Sequence, residues 1–501
     1  MDHDAVPSKL RGPSSHRIAD VRAANERFVN HSLDVMDKKI GAESEYESNE
    51  NGHFAWDISL LIRAACLMWE ITADPTHLKR AERWARHVAD RTDEGRHLPT
   101  WRYSRGSAWS AGKRYTAGTA VIGDVGGIPV HIQAAADQVI IEKPSDTTAI
   151  VHIVKNGGRA WSSPKTSLIP NEENYLPDVL SRRSTSFATL IRGLPAPIDL
   201  TFVAAGEYTL AKQYATHLVH TGLIARSLIV TGEALAKSRD TSASFDASSN
   251  DLLDTAQRAL LVHDEEIRIR NGRAWYTTPE DFPSRRLGLE LPHNHVVDAA
   301  TSFLALGRTN NDEGLYHLGV SLTRRFLNEI DAYRSGQLEH PWHYYPVDSD
   351  VYFGVTRDEP MAERSISPVR RGEDSSHAVM RVRALLEWRH LNPGLVSNDQ
   401  LATTALAFRR YFMSTTSGIC TLKWLPEDSK DSPRRGHADT YAGAWGGLAP
   451  WDSTIKRRIN SMAYRHPPKA IFGATVLSAA EILAMNANSV TYASSDRNAL
   501  K

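Results

Sequence analysis

An almost wholly apolar helix followed by an amphipathic one recurs along this chain, and that alternation limits what it can fold into. Trp56–Glu70 (WDISLLIRAACLMWE) is apolar nearly all round. After the break Thr72–Thr76, His77–Asp90 carries one stripe, Leu78, Ala81, Ala85 and Val88, with Lys, Arg and Glu on the other side. A helix apolar on all faces is covered on all faces, whereas a striped helix turns one side to water. Each such pair is therefore one inner and one outer helix.

The order repeats. Leu218–Leu235 precedes the striped Leu252–Ile267. Val296–Leu306 precedes Leu315, Leu318, Leu322, Phe326 and Ile330, and Ala378–Trp388 precedes Leu401, Ala405, Phe408 and Phe412. Ala470–Leu483 is apolar with no helix expected after it. An N-terminal helix from Ile18, with Val21, Ala24, Phe28 and Met36 near one face, lacks an inner partner and is free to pair with it. A repeat of about 80 residues in the C-terminal half predicts a mainly α protein, an (α/α) toroid of five to six helix hairpins. An open helical solenoid is the alternative, though its repeats are usually shorter and more uniform.

Connection lengths are uneven. Turns from inner to outer helix are mostly short, about 5–10 residues, and those from outer to inner helix are long. In a ring of hairpins the long ones share one face, and long ordered connections are usually functional. The first of them holds β-like runs, VIGDVGGIPVHIQ, QVIIEK, TAIVHIVKN and APIDLTFVAAG, with a short helix expected around Glu172–Arg183. The expected organisation is a disordered tail at 1–16, the first helices at 17–117 and a β-rich insertion at 118–206. The rest of the toroid follows at 207–486, then a polar tail at 487–501.

Lys+Arg and Asp+Glu balance at 59 each, which gives no global attraction to nucleic acid or membrane. The N-terminus lacks an apolar secretory core, and no run of about 18 apolar residues is evident, so neither a signal peptide nor a membrane span is expected. A cytoplasmic location follows by default, with non-classical export left open. Cys66 and Cys420 lie far apart without ligand spacing, which gives no disulfide framework and no zinc motif, while the histidines leave a metal open without a spacing that identifies one. GxGxxG, P-loop, HExxH and GxSxG motifs are missing, as are DxDD and DDxxD clusters, and no cofactor is implied.

The starts of the inner helices carry titratable groups: His53, Trp56 and Asp57; His217 and His220; His293, Asn294 and His295; Glu373, Asp374 and His377; and His466. A cap or a core imidazole explains any one of them. Their recurrence at one structural place points to a site, and helix N-termini favour anions. The long connections add arginine pairs, Arg182-Arg183, Arg285-Arg286, Arg370-Arg371 and Arg434-Arg435, suited to carboxylate or phosphate. Trp101, Tyr103, Trp109, Trp275, Tyr276, Trp342, Tyr344, Tyr345, Trp424, Tyr441, Trp445 and Trp451 offer flat faces for sugars. The densest stretch, Leu338–Ala378, ends in Gly-Glu-Asp-Ser-Ser-His as an apolar helix begins. Asp374 and His377 are catalytic candidates there. Trp56, Asp57, Trp101, Tyr103, His220, Trp342, Arg371, Glu373, Arg435 and Trp445 are candidate contacts to an acidic carbohydrate.

HTGLI at His220–Ile224, LPHN at Leu291–Asn294, W-x-Y at Trp342–Tyr344 and EDSSHA at Glu373–Ala378 sit on these hairpins. In that order the stretch Thr216–Leu483 resembles toroidal carbohydrate-active proteins: polysaccharide lyases of the alginate- and glucuronan-lyase type, and the catalytic domains of glucuronyl C5-epimerases. In toroidal alginate lyases an Asn-His pair and a Tyr do the chemistry with help from Arg. The resemblance thus implies Asn294 and His295, with Tyr344 or Tyr345. The residues around Asn294-His295 do not otherwise follow the lyase pattern. The implied reaction is β-elimination at a uronic acid. Asn294 and an Arg would neutralise the carboxylate, His295 or Tyr344 would take the C5 proton, and the tyrosine would protonate the leaving oxygen. A tyrosine acting as base needs a depressed pKa, which nearby Arg and His⁺ would supply. C5 epimerisation is an alternative outcome. A glycoside hydrolase using Asp57, Glu373 or Asp374 opposite Asp439 or Asp452 is another. A non-catalytic glycan-binding scaffold is the third.

Overall fold

The computed structural model describes residues 15–487 except 97–106, 112–116, 135, 184–189, 193–196, 214–215, 239–242, 279–287, 357–364, 417–418, 427–437 and 469. Helix dominates it. The long helices are α1 (Ser15–Lys39), α2 (Ser59–Thr72), α3 (Pro75–Ala89), α4 (Leu218–Lys237), α5 (Ala243–Leu261), α6 (His293–Thr309), α7 (Glu313–Arg334), α8 (Ser375–Leu391), α9 (Asn398–Tyr411), α10 (Ser453–Arg465) and α11 (Gly473–Ala487).

Local chemistry sets their ends. Asp74 caps α3, accepting from the Thr76 N–H at 2.9 Å, and Pro75 supplies the fixed φ of a first helical residue. Ser397 and Gln400 form a reciprocal capping box at the start of α9. Ala73, left-handed at φ 57°, ends α2. The stripe Leu78, Ala81, Ala85 and Val88 is buried, as are nearly all residues of α4.

The apolar helices touch in chain order. α2 packs on α4, α4 on α6, α6 on α8, α8 on the short helix Ala442–Gly446, and that helix on α11; α11 in turn packs on α2. The amphipathic helices cover them: α3 on α2, α5 on α4, α7 on α6, α10 on Ala442–Gly446, and α1 on α11. One hydrophobic cluster joins all of these elements.

Several expectations change. The segment before residue 468 was read as a loop, yet it holds Ala442–Gly446 and α10. The first is too short and Gly-rich to show a period, and the stripe of α10, Ile455, Ile459 and Met462, is sparse. Leu218–Lys237 is long and apolar enough to cross a membrane by length and composition, against the expectation of no such run, but 89% of its apolar window is buried inside the protein. α8 was read as apolar throughout but carries buried Arg381, Arg383 and Glu387.

Between α3 and α4 lie two small antiparallel sheets. β1 (Ala117–Val125) pairs with β2 (Ile128–Ala134) and β9 (Ala211–Gln213), and β2 with β7 (Leu190–Arg192). β3 (Gln138–Ser145) pairs with β4 (Thr148–Lys155) and β8 (Gly206–Thr209), and β4 with β5 (Gly158–Ser162) and β6 (Thr166–Ser167). Inward residues such as Val130, Ile132, Val139, Ile141, Val151 and Ile153 build a cluster distinct from the helical one. Of APIDLTFVAAG, the described part before Gly206 is turn and coil rather than strand. The short helix falls at Leu176–Arg183.

Candidate active site at the starts of the inner helices

The chain enters α2 through one turn of π-helix, Phe54–Ile58, an irregularity that often marks functional positions. It carries Trp56 and Asp57. Asp57 Oδ1 accepts from the Gly473 N–H at 2.9 Å, and Oδ2 lies 3.1 Å from His53 Nδ1. The Trp56 indole N–H donates to His220 Nε2 at 3.0 Å. Asn49, buried and bonded to the carbonyl of Trp109, brings Nδ2 to 3.1 Å from His220 Nδ1.

From there rings follow one another from helix to helix. His220 lies 5.8 Å from His217 between centroids, and His217 meets His295 edge-on at 4.8 Å. On the other side Trp56 lies 5.9 Å from His220 and 6.4 Å from His377, and His377 lies 6.1 Å from Tyr344. Four helix starts, those of α2, α4, α6 and α8, thus contribute to one cluster. His217, His295, His377, Trp56 and Tyr344 are each partly buried and keep some exposed surface.

The environment sets the protonation states. Burial, with His377 and His220 adding to it, pushes the His295 pKa down to about 3. Burial and the other histidines also hold His217 well below the usual value. His377 goes the other way. Burial alone would lower it, but Asp374 Oδ2 at 3.0 Å from Nδ1 raises it overall. Asp374 caps α8, accepting from the N–H groups of Ser376 and His377 at 3.0 and 3.2 Å, and its own pKa is lowered despite burial.

Tyr344 corrects an expectation. Its pKa is raised, by burial first and then by Tyr345 and Glu373. Arg371, over its ring at 4.4 Å, opposes them without prevailing. Tyr344 is therefore a protonated phenol, not a base.

Other candidates also fall elsewhere. Trp342 and Trp445 are buried in the core, centroids 5.4 Å apart, and Trp445 stacks on Phe408 at 4.1 Å. Neither has a face free for a sugar. Tyr345 is buried with Leu289 and Val351. Glu373 is sealed from solvent against Arg381, Oε2 to Nη1 at 2.8 Å, and burial pushes its pKa up to about 7. Asn294 is 2% exposed, and its Oδ1 accepts no hydrogen bond. His466 ends α10 and lines a separate cavity with Asn25 and Thr475. Trp101, Tyr103, Arg285-Arg286 and Arg434-Arg435 lie outside the described residues.

Arg381 escaped the sequence reading. Its guanidinium donates to the carbonyls of His343 at 2.9 Å and Pro341 at 2.7 Å, pairs with Glu373 and lies over the Phe326 ring at 3.8 Å. It fastens the aromatic loop to α8 and so places Tyr344. The available signal was charge inside an otherwise apolar run, Arg381 and Arg383 with Glu387. His217, just before α4, is one of the helix-start histidines but not one of the expected contacts, and it is central to the ring contacts. Among the described residues no group of three or more His, Cys, Asp or Glu is arranged to hold a metal ion.

Comparison with known proteins supplies no relative: no family model matches the chain, and neither does any curated protein or solved structure.

Proposed function

We propose that the paired helices form an (α/α) toroid of six hairpins, and that its histidine-bearing end is the active site of a polysaccharide lyase acting on uronic-acid-containing chains. The closed series of contacts, from α2 through α4, α6, α8, Ala442–Gly446 and α11 back to α2, supports the ring. One observation carries the chemistry. Neutral His295, protonated Tyr344 under Arg371, and His377 backed by Asp374 belong to one cluster of rings at the helix starts.

β-Elimination needs three things of such a cluster. The uronate carboxylate must be neutralised so that the C5 proton becomes acidic. Arg371 supplies that charge, with His377, whose pKa Asp374 raises, beside it, while Asn294 is too deeply buried to be the main partner. A base must take the proton. His295 is neutral at neutral pH, and an entering carboxylate would raise its basicity. The leaving O4 must gain a proton, and the Tyr344 hydroxyl is a donor. The C5–H electron pair becomes the C4=C5 double bond as the C4–O4 bond breaks.

A hydrolase is less well served, because the carboxylates it would use are committed. Asp57 and Asp374 hold helix starts, Glu373 is sealed against Arg381, Asp439 accepts from the Leu422 N–H, and Asp452 caps α10. Incubation with glucuronan, alginate or a glycosaminoglycan should raise the ultraviolet absorbance of a C4=C5 unsaturated uronate. New reducing ends without that absorbance would refute elimination. Deuterium uptake at C5 without cleavage would indicate epimerisation instead.

A further inference from the structure

The far ends of the same helices enclose a second space. The C-terminal halves of α2, α4, α8 and α11, together with Gly443–Gly447, surround a cavity of about 640 Å³. That is the size of an ordinary small-molecule site. It lies at the opposite end of these helices from the histidines and has no part in the chemistry above.

Its depth is charged. Arg63 and Arg226 grip the two oxygens of Glu387 at 2.5 and 2.6 Å, and Arg63 also reaches Asp298 at 3.2 Å. Glu481 holds Arg383 with both oxygens, at 2.6 and 3.0 Å. Arg226 is 5% exposed, yet its Nη1 makes no hydrogen bond; a Glu233 oxygen stands 3.9 Å away. Lys237, Arg308 and His390 stand at the rim. Arg308 donates to the Leu391 carbonyl at 3.0 Å, and among the described residues neither Arg308 nor Lys237 has a carboxylate within 4.0 Å. After burial, Lys237 and Arg308 are the main groups holding the His390 pKa down, so the rim is cationic.

Five cationic side chains, Arg63, Arg226, Lys237, Arg308 and Arg383, face four carboxylates, Glu70, Glu233, Glu387 and Glu481. With Asp298, which Arg63 also holds, the carboxylates number five and the charges balance, so position is what favours a negative head: Lys237 and Arg308, the two cations that among the described residues have no carboxylate beside them, stand at the rim. Between the charged groups the walls are apolar, formed by Leu67, Val230, Leu386, Leu477 and Met485. We propose that this cavity binds a small amphipathic monocarboxylate, with its head toward Lys237 and Arg308 and its apolar body along these walls.

Octanoate titrated calorimetrically into the full chain tests this. Saturable binding is expected, with 1-octanol at least about tenfold weaker, since a charge-assisted hydrogen bond is lost. Lys237→Met and Arg308→Met should each weaken octanoate about tenfold with unchanged melting curves, because both side chains are at the rim. Val230→Trp, which fills the space, should abolish binding, while His295→Ala should leave it intact. The proposal is overturned if octanoate does not bind, if the rim variants and Val230→Trp bind it as the wild type does, or if inorganic phosphate displaces it.

Discussion

The carboxylate of Asp374 stands 3.0 Å from Nδ1 of His377, three positions on, while the same carboxylate caps the helix that both residues begin. One side chain therefore positions the imidazole and holds its proton. The folded pKa of His377 is raised, so its stabilising contribution is complete below the unfolded value of 6.5 and is lost as pH rises through the folded value. That of Asp374 is lowered, so its contribution is present above 3.8 and is lost as pH falls through the folded value. The pair is strongest between those two limits. Asp374→Asn keeps a good helix cap and removes the charge. We expect the His377 titration, followed by NMR, to move down by about one pH unit, and the alkaline limb of the activity profile to move with it. An unshifted imidazole would separate Asp374 from the site.

His295→Ala should lower kcat/KM by about 10²–10⁴-fold, the usual loss for a general base. Tyr344→Phe should do the same to kcat while keeping the ring under Arg371. Both residues retain exposed surface, so thermal melts should stay near wild type. Full activity in both variants would move the chemistry away from this cluster.

The helix pairs were legible because buried and half-buried helices differ in periodicity over many residues. Ala442–Gly446 was not, because five residues rich in glycine carry no period, and its place is set by contact: a Cβ on Gly443 would stand 2.0 Å from the Ser478 carbonyl oxygen. In the site, the histidines were legible from their repeated position at helix starts. Which aromatics face a substrate was not, since Trp342 and Tyr344 are two residues apart and only the path of the loop sends one into the core and leaves the other partly exposed. Arg381 sets that path from within a helix that reads as core for most of its length.

Glu373 gives that buried anchor a pH signature. Burial raises its pKa from 4.5 to about 7, with Arg381 opposing, so the folded protein binds this proton more tightly than the unfolded chain does. Its contribution to stability must then decline as pH rises from 4.5 to about 7. Glu373→Gln removes that slope. Compared across this range by chemical denaturation, wild type should lose stability relative to the variant by up to an amount on the order of 3 kcal/mol. The effect of leaving Arg381 without its partner is constant with pH and only offsets the two curves. Parallel curves would mean that Glu373 does not titrate there.

Gly473 tests the contact between the last apolar helix and the first. A Cβ built on it would stand 2.4 Å from the carbonyl oxygen of Asp57 and 2.8 Å from its Cα, both backbone atoms with no flexible end to move. Gly473 opens α11, where glycine costs less than in a helix interior, so without that contact Gly473→Ala would not lower the melting temperature. With it, overpacking should cost about 1–3 kcal/mol, and the sign of the change decides whether α11 and the π-turn meet this closely. The displaced backbone carries Trp56, so weaker binding of substrate should accompany the loss of stability through the bond from the indole to His220. Gly206→Ala serves as control. Its Cβ would find its nearest neighbour at 3.9 Å, and its melting temperature should stay close to that of wild type.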